Sequence, residues 1–339
     1  MKKIFSLILA VLLFLSALPV GEAQSAQGVQ TGSERLFLKA SSVTMSVVGD
    51  QEELYLGVVP AEQVTFESGD ESVVTFDGGI LTATGVGSTT VWATYGDQKV
   101  ECAVSCLAQT EGELKALDSK ILKAAKRQPP AVDMTQKCTD FSDAGIVGDS
   151  ITYIMYQWET KYDYLGDVTF LCRGGVSLNG FVVHYKNLYY QGAEMYLEDV
   201  VAKSGVKRLY FLMGQSDISA EFWDKIMENW DILLGRILEK SPDVEICLLS
   251  LIPRQIRQEP AENKRINKRI KDYNVTLREY ARENGYMFID LAYYVENHED
   301  CMALEYCQDD YHMNETGCIM WMQVLRYYAE FEKAGGILE

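Results

Sequence analysis

The stretch Ala144-Gly145-Ile146-Val147-Gly148-Asp149-Ser150-Ile151-Thr152 decides how the rest of the chain is read. Ala144 to Val147 is a short apolar run of the kind that forms a buried strand. Gly148 permits a sharp turn, and Asp149-Ser150 stand where a helix begins. A serine at a strand-to-helix turn projects its hydroxyl from the carboxyl end of a sheet. Its own N–H lies among the unpaired donors of a helix N-terminus. A nucleophile whose attack creates an oxyanion needs both. The tripeptide alone says little, because an ordinary N-cap serine reads the same way. It gains weight from Asp309-Asp310-Tyr311-His312 near the other end of the chain.

Around and beyond that stretch, strand and helix patterns alternate. Strands are expected at 144–148, 168–172, 208–213, 244–251 and 286–290. One helix carries Phe222, Ile226, Trp230, Leu233 and Ile237. Another carries Ile266, Ile270, Tyr273, Leu277 and Tyr280 and ends near Gly285. The last follows Asn314, a natural N-cap, and runs to about Glu332. Such alternation implies an α/β domain, a mostly parallel sheet covered by helices on both faces, with the active site at the carboxyl ends of the strands.

Residues 36–106 read differently. Val43, Met45 and Val47 alternate with polar residues, as do Thr89, Val91, Ala93 and Tyr95, and Val100, Cys102, Val104 and Cys106. Gly49-Asp50, Gly69-Asp70, Asp77-Gly78-Gly79 and Gly96-Asp97 punctuate them. Short strands at this spacing imply a β-sandwich. Leu107 to Arg127 reads as a helix with Leu114, Leu117 and Ile121 on one face, stopped by Pro129-Pro130. The segment 107–139 is therefore expected to be a helical linker.

The chain has 339 residues, 47% of them hydrophobic, enough for more than one domain. Its net charge of −18, from 49 acidic and 31 basic residues, argues against nucleic acid and anionic membrane surfaces as partners. Met1 to Ala23 has the form of an export signal: Lys2 and Lys3, an apolar run from Ile4 to Leu18, then small residues around Ala23. The run is short for a spanning helix, so the expectation is a secreted or envelope-associated protein without a membrane span. Gln24 to Glu34 is a polar tether. Eight cysteines in an exported chain invite disulfides, yet four of them, Cys102, Cys106, Cys172 and Cys247, sit in strand-like runs as buried thiols would. Cys301 and Cys307 are the pair best placed for a bridge. No Cys/His cluster has metal-ligand spacing, and no cofactor is called for.

Four short motifs follow in order: Gly148-Asp149-Ser150, Arg173-Gly174-Gly175, Gly214-Gln215-Ser216-Asp217 and Asp309-Asp310-Tyr311-His312. Ser150 needs a base, and His312 can take its proton and return it to a leaving alcohol. Asp309, three residues earlier, can reach the other ring nitrogen. Asp310 competes for that role and reads as a solvated neighbour, while His184 and His298 read as surface histidines. Together the motifs over about 142–333 resemble the SGNH (GDSL-type) hydrolases, esterases on a flavodoxin-like sheet. The resemblance implies a catalytic triad of Ser150, Asp309 and His312. It also implies an oxyanion hole of the Ser150 N–H, a glycine N–H from Gly174 or Gly175, and a side chain in the third motif. The family expects Gly-x-Asn-Asp there, and this chain has Ser216 where the asparagine belongs.

Val48-Gly49-Asp50, Phe66-Glu67-Ser68-Gly69-Asp70 and Ile80-Leu81-Thr82-Ala83-Thr84-Gly85 resemble the bacterial Ig-like domains of the group 2 type, which implies a surface module with possible glycan contact. The expected organisation is a signal at 1–23, an Ig-like domain at 36–106, the linker at 107–139 and the hydrolase domain at 140–339. The activity this implies is removal of acetyl or other small acyl groups from a carbohydrate. Other readings of the same motifs are a lipase or broad carboxylesterase, and a surface adhesin whose hydrolase-like domain only binds glycan.

Overall fold

The structure, a computed structural model, describes residues 35–124, 126–183, 185–219 and 225–336. The export signal, the tether, His184 and Phe222 lie outside the described residues. Two compact units divide the chain. The first takes the described residues up to 133 with 297–299 and 327–336, and the second takes 134–296 and 300–326.

The first unit is rich in β-structure. Its strands are β1 (Phe37–Leu38), β2 (Ser42–Val47), β3 (Gln51–Glu53), β4 (Tyr55–Leu56), β5 (Thr65–Ser68), β6 (Val74–Asp77), β7 (Ile80–Ala83), β8 (Gly87–Tyr95) and β9 (Gln98–Ala108). They form a four-stranded sheet in the order β2-β9-β8-β5, a three-stranded sheet β3-β7-β6, and the pair β1-β4. Alternation buries Val91, Ala93, Cys102, Val104 and Cys106 as expected, and Phe66 and Phe76 join the two larger sheets edge to face at 4.8 Å. Phe37 packs edge to face on Tyr327 and Phe331, and the Tyr327 hydroxyl donates to the Leu38 carbonyl at 2.7 Å.

Three expectations change here. The helix read at 107–127 is instead the end of β9 followed by two short helices, α1 (Glu111–Lys115) and α2 (Ser119–Ala124). Thr110 caps the first through the Glu113 N–H, and Asp118 accepts from the Lys120 N–H, so a new start signal interrupts the apolar period. His298 is not a surface residue. Its Nε2–H donates to the Thr44 carbonyl at 3.0 Å, and its Nδ1 accepts from the Ser46 hydroxyl at 2.7 Å. Burial lowers its pKa, so the ring is held neutral in that tautomer. Cys301 and Cys307 are both buried thiols, not a bridge, and the Cys307 thiol donates to the Leu304 carbonyl.

The second unit runs β10 (Ala144–Gly148), α3 (Ser150–Tyr162), β11 (Thr169–Cys172), α4 (Leu178–Val182), β12 (Leu188–Tyr190), β13 (Ala193–Met195), α5 (Leu197–Ser204), β14 (Arg208–Leu212), α6 (Gln215–Ser219), α7 (Ile226–Lys240), β15 (Glu245–Leu249), α8 (Pro260–Asn284), β16 (Met287–Ile289), α9 (Ala292–Val295) and the first part of α10 (Glu315–Lys333), whose residues from Tyr327 on are counted in the first unit. A five-stranded parallel sheet in the order β11-β10-β14-β15-β16, flanked by helices, is its centre, and each of its strands falls within the range expected for it. The fold is the flavodoxin-like α/β architecture. β12 and β13 form a separate hairpin.

Register aligns the ends of three strands. Gly148 lies opposite Cys172 on one side and Leu212 on the other, so the segments that follow emerge at one edge of the sheet. The chain winds one way from β10 to β11 and the other way from β14 onward, which opens a crevice at the end of β10. The buried Tyr273 hydroxyl accepts from Trp230 Nε1 at 2.7 Å and donates to the Met213 carbonyl at 3.3 Å, tying α7 and α8 to the end of β14.

Gly148 is required by a close approach: a Cβ there would lie 1.8 Å from Thr152 Oγ1 and 2.5 Å from Thr152 Cβ. Gly148→Ala must move α3 relative to β10. We expect a loss of about 1–3 kcal/mol in urea unfolding. A variant as stable as the parent would show that this turn tolerates a side chain.

Candidate active site

Ser150 opens α3 directly beyond β10. The N-cap position belongs to Asp149, whose carboxylate accepts from the Ile151 N–H at 2.9 Å. The serine hydroxyl is therefore not used up as a cap. It lies 2.9 Å from His312 Nε2.

His312 reaches it from a loop with no regular structure between the short turn at Leu304–Tyr306 and α10. Its Nδ1–H donates to Asp309, 2.8 Å from Oδ2 and 3.1 Å from Oδ1. That bond leaves Nε2 as the acceptor facing Ser150. Burial alone would raise the Asp309 carboxyl. The His312 ring and the N–H groups of Tyr311 and His312 outweigh it and hold the carboxyl below the usual range. The loop closes with Asn314 capping α10 through the Gly317 N–H at 3.0 Å.

Asp310 is not the solvated neighbour that its position in the sequence implied. It is 1% exposed, its Oδ2 accepts from the Gln258 N–H at 2.9 Å and from Asn263 Nδ2 at 3.0 Å, and Arg257 lies 3.7 Å from Oδ1. Its carbonyl accepts from the Gln255 N–H. The two adjacent aspartates thus divide the work: Asp309 meets the histidine ring, and Asp310 fixes the loop to the segment beyond β15.

The other motifs meet at the ends of β11 and β14. The Arg173 N–H, directly before Gly174 and Gly175, donates to the Gly148 carbonyl at 3.3 Å. Both glycines are exposed, and Gly175 has φ +79°. Asp217 is 2% exposed and accepts from the Leu178 and Asn179 N–H groups, each at 2.9 Å, while Ser177 caps the same helix through the Gly180 N–H. Asp217 therefore binds the third motif to α4. Ser216 stands in the first turn of α6 and is exposed, and Gln215 beside it is buried.

Residues 146–318 match the sequence profile of the GDSL-like Lipase/Acylhydrolase family. The chain belongs to that family. As a GDSL-like acylhydrolase it is a serine esterase. Among curated proteins no match was found. Among solved structures, the chain is similar to a GDSL-like lipase from Bacteroides thetaiotaomicron, at 16% identity over 58% of this chain and 92% of that one, with a TM-score of 0.46. It is also similar to the C-terminal catalytic domain of Streptococcus pneumoniae peptidoglycan O-acetyltransferase A, at 12% identity over 57% and 93%, with a TM-score of 0.37. A third is a carbohydrate esterase family 3 protein from Talaromyces cellulolyticus, at 12% identity over 57% and 97%, with a TM-score of 0.39.

Three carboxylates of this GDSL-type site carry roles that its motifs did not announce: Asp149 as cap, Asp217 as a tie to α4, and Asp310 as loop anchor. The visible signal for Asp310 was Asn263 on α8, in register with Asn267 and Asn274 on one helical stripe.

Two measurements follow from these carboxylates. Asp310→Ala leaves the Gln258 and Asn263 donors unpaired and should cost about 2–3 kcal/mol of stability. It should also lower kcat on a small ester at least tenfold with KM little changed, and Asp310→Asn, which keeps one acceptor oxygen, should recover part of both. Burial pushes Asp149 up to about 6; the Ile151 N–H and His312 pull against it, and the Asp217 charge adds to it. The folded chain thus binds this proton more tightly than the unfolded one. The stabilisation is complete below about pH 4 and is lost as pH rises through about 6, on the order of 3 kcal/mol in all. Unfolding midpoints taken from pH 4 to 7 should show the parent losing stability relative to Asp149→Asn as pH rises. Parallel curves would disprove the linkage.

Proposed function

We propose that this esterase acts through an acyl-enzyme on Ser150, with His312 as base and Asp309 as its orienter, and that it removes acetyl or another small acyl group from a carbohydrate. The observation that carries the chemistry is the continuous relay from Asp309 to His312 Nδ1 at 2.8 Å and from Nε2 to Ser150 Oγ at 2.9 Å. Ser150 Oγ attacks the ester carbonyl while its proton passes to Nε2. The tetrahedral oxyanion collapses, and the leaving alcohol takes that proton. Water then adds to the acyl carbon, giving its proton to Nε2, and the acid departs as Ser150 is regenerated. Oxyanion donors in this reading are the Ser150 N–H, the N–H of Gly174 or Gly175, and the Ser216 hydroxyl. Loss of one such donor costs about 10²–10³ in rate.

The carbohydrate part of the proposal is supported by the export signal at 1–23 and the resemblance of 36–106 to bacterial Ig-like domains. On this reading the protein is secreted or held in the cell envelope, and the Ig-like module at 36–106 is a spacer that touches surface glycan. Residues 107–139 link it to the hydrolase domain at 140–339.

Ser150→Ala and His312→Ala should each lower turnover of p-nitrophenyl acetate by more than about 10³ while circular dichroism stays that of the parent. A fluorophosphonate should label the parent once, on Ser150, and neither variant. Turnover near the parental rate in either variant would remove the triad assignment. A parent that stays unlabelled yet binds glycan would make the protein an adhesin.

A further inference from the structure

The large apolar side chains left exposed among the described residues are unevenly placed: Tyr153, Tyr156, Tyr185 and Tyr189 fall close together in the chain. Tyr153 is one turn beyond Ser150 on α3 and Tyr156 one turn further, at 42% and 41% exposure. Their rings lie 6.0 Å apart, and Tyr156 meets Phe170 of the edge strand β11 at 5.2 Å. Phe170 also lines a cavity of about 280 Å³, together with Cys172, Arg173, Leu188, Tyr189 and Tyr190. One side of that cavity is lined by β12 of the β12–β13 hairpin. Its two-residue turn has positive φ at both Gln191 and Gly192, a geometry that holds the strands tightly twisted. One of the cavity's lining residues, Arg173, is bonded through its N–H to the carbonyl of Gly148, two residues before Ser150.

We propose that this lane and cavity form a binding track for neutral pyranose rings, which holds the unreacted part of a polysaccharide while one acylated unit sits at Ser150. The inference rests on the carbohydrate reading above and locates it in side chains. A tyrosine ring half in water presents an apolar face to the C–H face of a sugar and keeps its hydroxyl hydrated. The Tyr189 and Tyr190 hydroxyls and the Arg173 guanidinium supply donors, and the tyrosines acceptors, for ring hydroxyls. A long acyl chain in the same place would strip water from those groups without replacing its hydrogen bonds. The cavity is close to the lower size of small-ligand sites, so it suits one ring, with further rings along the lane. The net charge of −18 disfavours an anionic polymer.

The test uses the full chain with Tyr156→Ala, Tyr189→Ala and their double variant; Tyr189 is 75% exposed and Tyr156 41%, and each variant is compared with the parent by circular dichroism before use. Native gels cast with acetylated xylan or acetylated glucomannan should retard Ser150→Ala. Adding the double variant should weaken that retardation roughly tenfold. In the active chain, the ratio of kcat/KM on the acetylated polymer to kcat/KM on p-nitrophenyl acetate should fall by a similar factor. Retardation by neither polymer, or the same retardation with and without the tyrosines, overturns the track. A fall on a dodecanoyl ester instead of the polymer also overturns it, and makes the lane an acyl-chain site. A parent that binds polymer through the tyrosines yet releases no acetate overturns the substrate reading and leaves the track standing. Acetate release with an unchanged ratio does the reverse.

Discussion

A histidine in an irregular loop must hold its ring within hydrogen-bond reach of a serine 162 residues earlier in the chain, and the buried carboxylate of Asp310 makes that possible. No helix or strand carries His312, so side-chain bonds supply the rigidity that a backbone ladder supplies elsewhere. Asp310 bonds Gln258 and Asn263, and Asn263 in turn grips the Gln255 carbonyl. Asn267 pairs with both backbone groups of Arg254, and Asn274 with both of Leu251. One face of α8 thus acts as a template for the segment 251–258, and that segment holds the loop that carries His312. A buried donor or acceptor left without its partner costs about 1–3 kcal/mol, so the members of such a chain support one another.

The opposite wall of the site is built on the same plan with fewer parts. Asp217 receives two N–H groups at the start of α4, and Asp149 receives one at the start of α3. Both are buried, and burial raises both carboxyls above their ordinary range. A helix N-terminus is the environment in which a dry carboxylate is least costly, because unpaired N–H groups and the helix dipole favour its charge. Carboxylates around Ser150 and His312 are therefore used for architecture, and Asp309 is the one that bonds the histidine ring.

The strands of the parallel sheet were legible because each is a short apolar run between turn residues, and that pattern is local. Ser150, Asp309 and His312 stood out by residue type and by the short motifs around them, and the structure brings the three side chains within hydrogen-bond reach of one another. What failed was burial of polar groups. Asp310 and His298 look like surface residues beside their chain neighbours, and only segments far away in sequence make them interior. The helix expected at 107–127 failed for a related reason: its apolar period was real, since Leu107, Leu114, Leu117 and Ile121 pack together, but the pairing of β9 with β2 takes Leu107 and Ala108 into the sheet.

The separation between Ser150 and His312 also orders events during folding. The strands β10 and β11 can pair early, since a single helix joins them. The loop that carries His312 has nothing to rest on until α8 has docked and segment 251–258 lies along it. Contacts of such sequence separation cost the most chain entropy and are rewarded late. Regain of ester turnover after dilution from denaturant should then report the final step of assembly and lag the recovery of secondary structure.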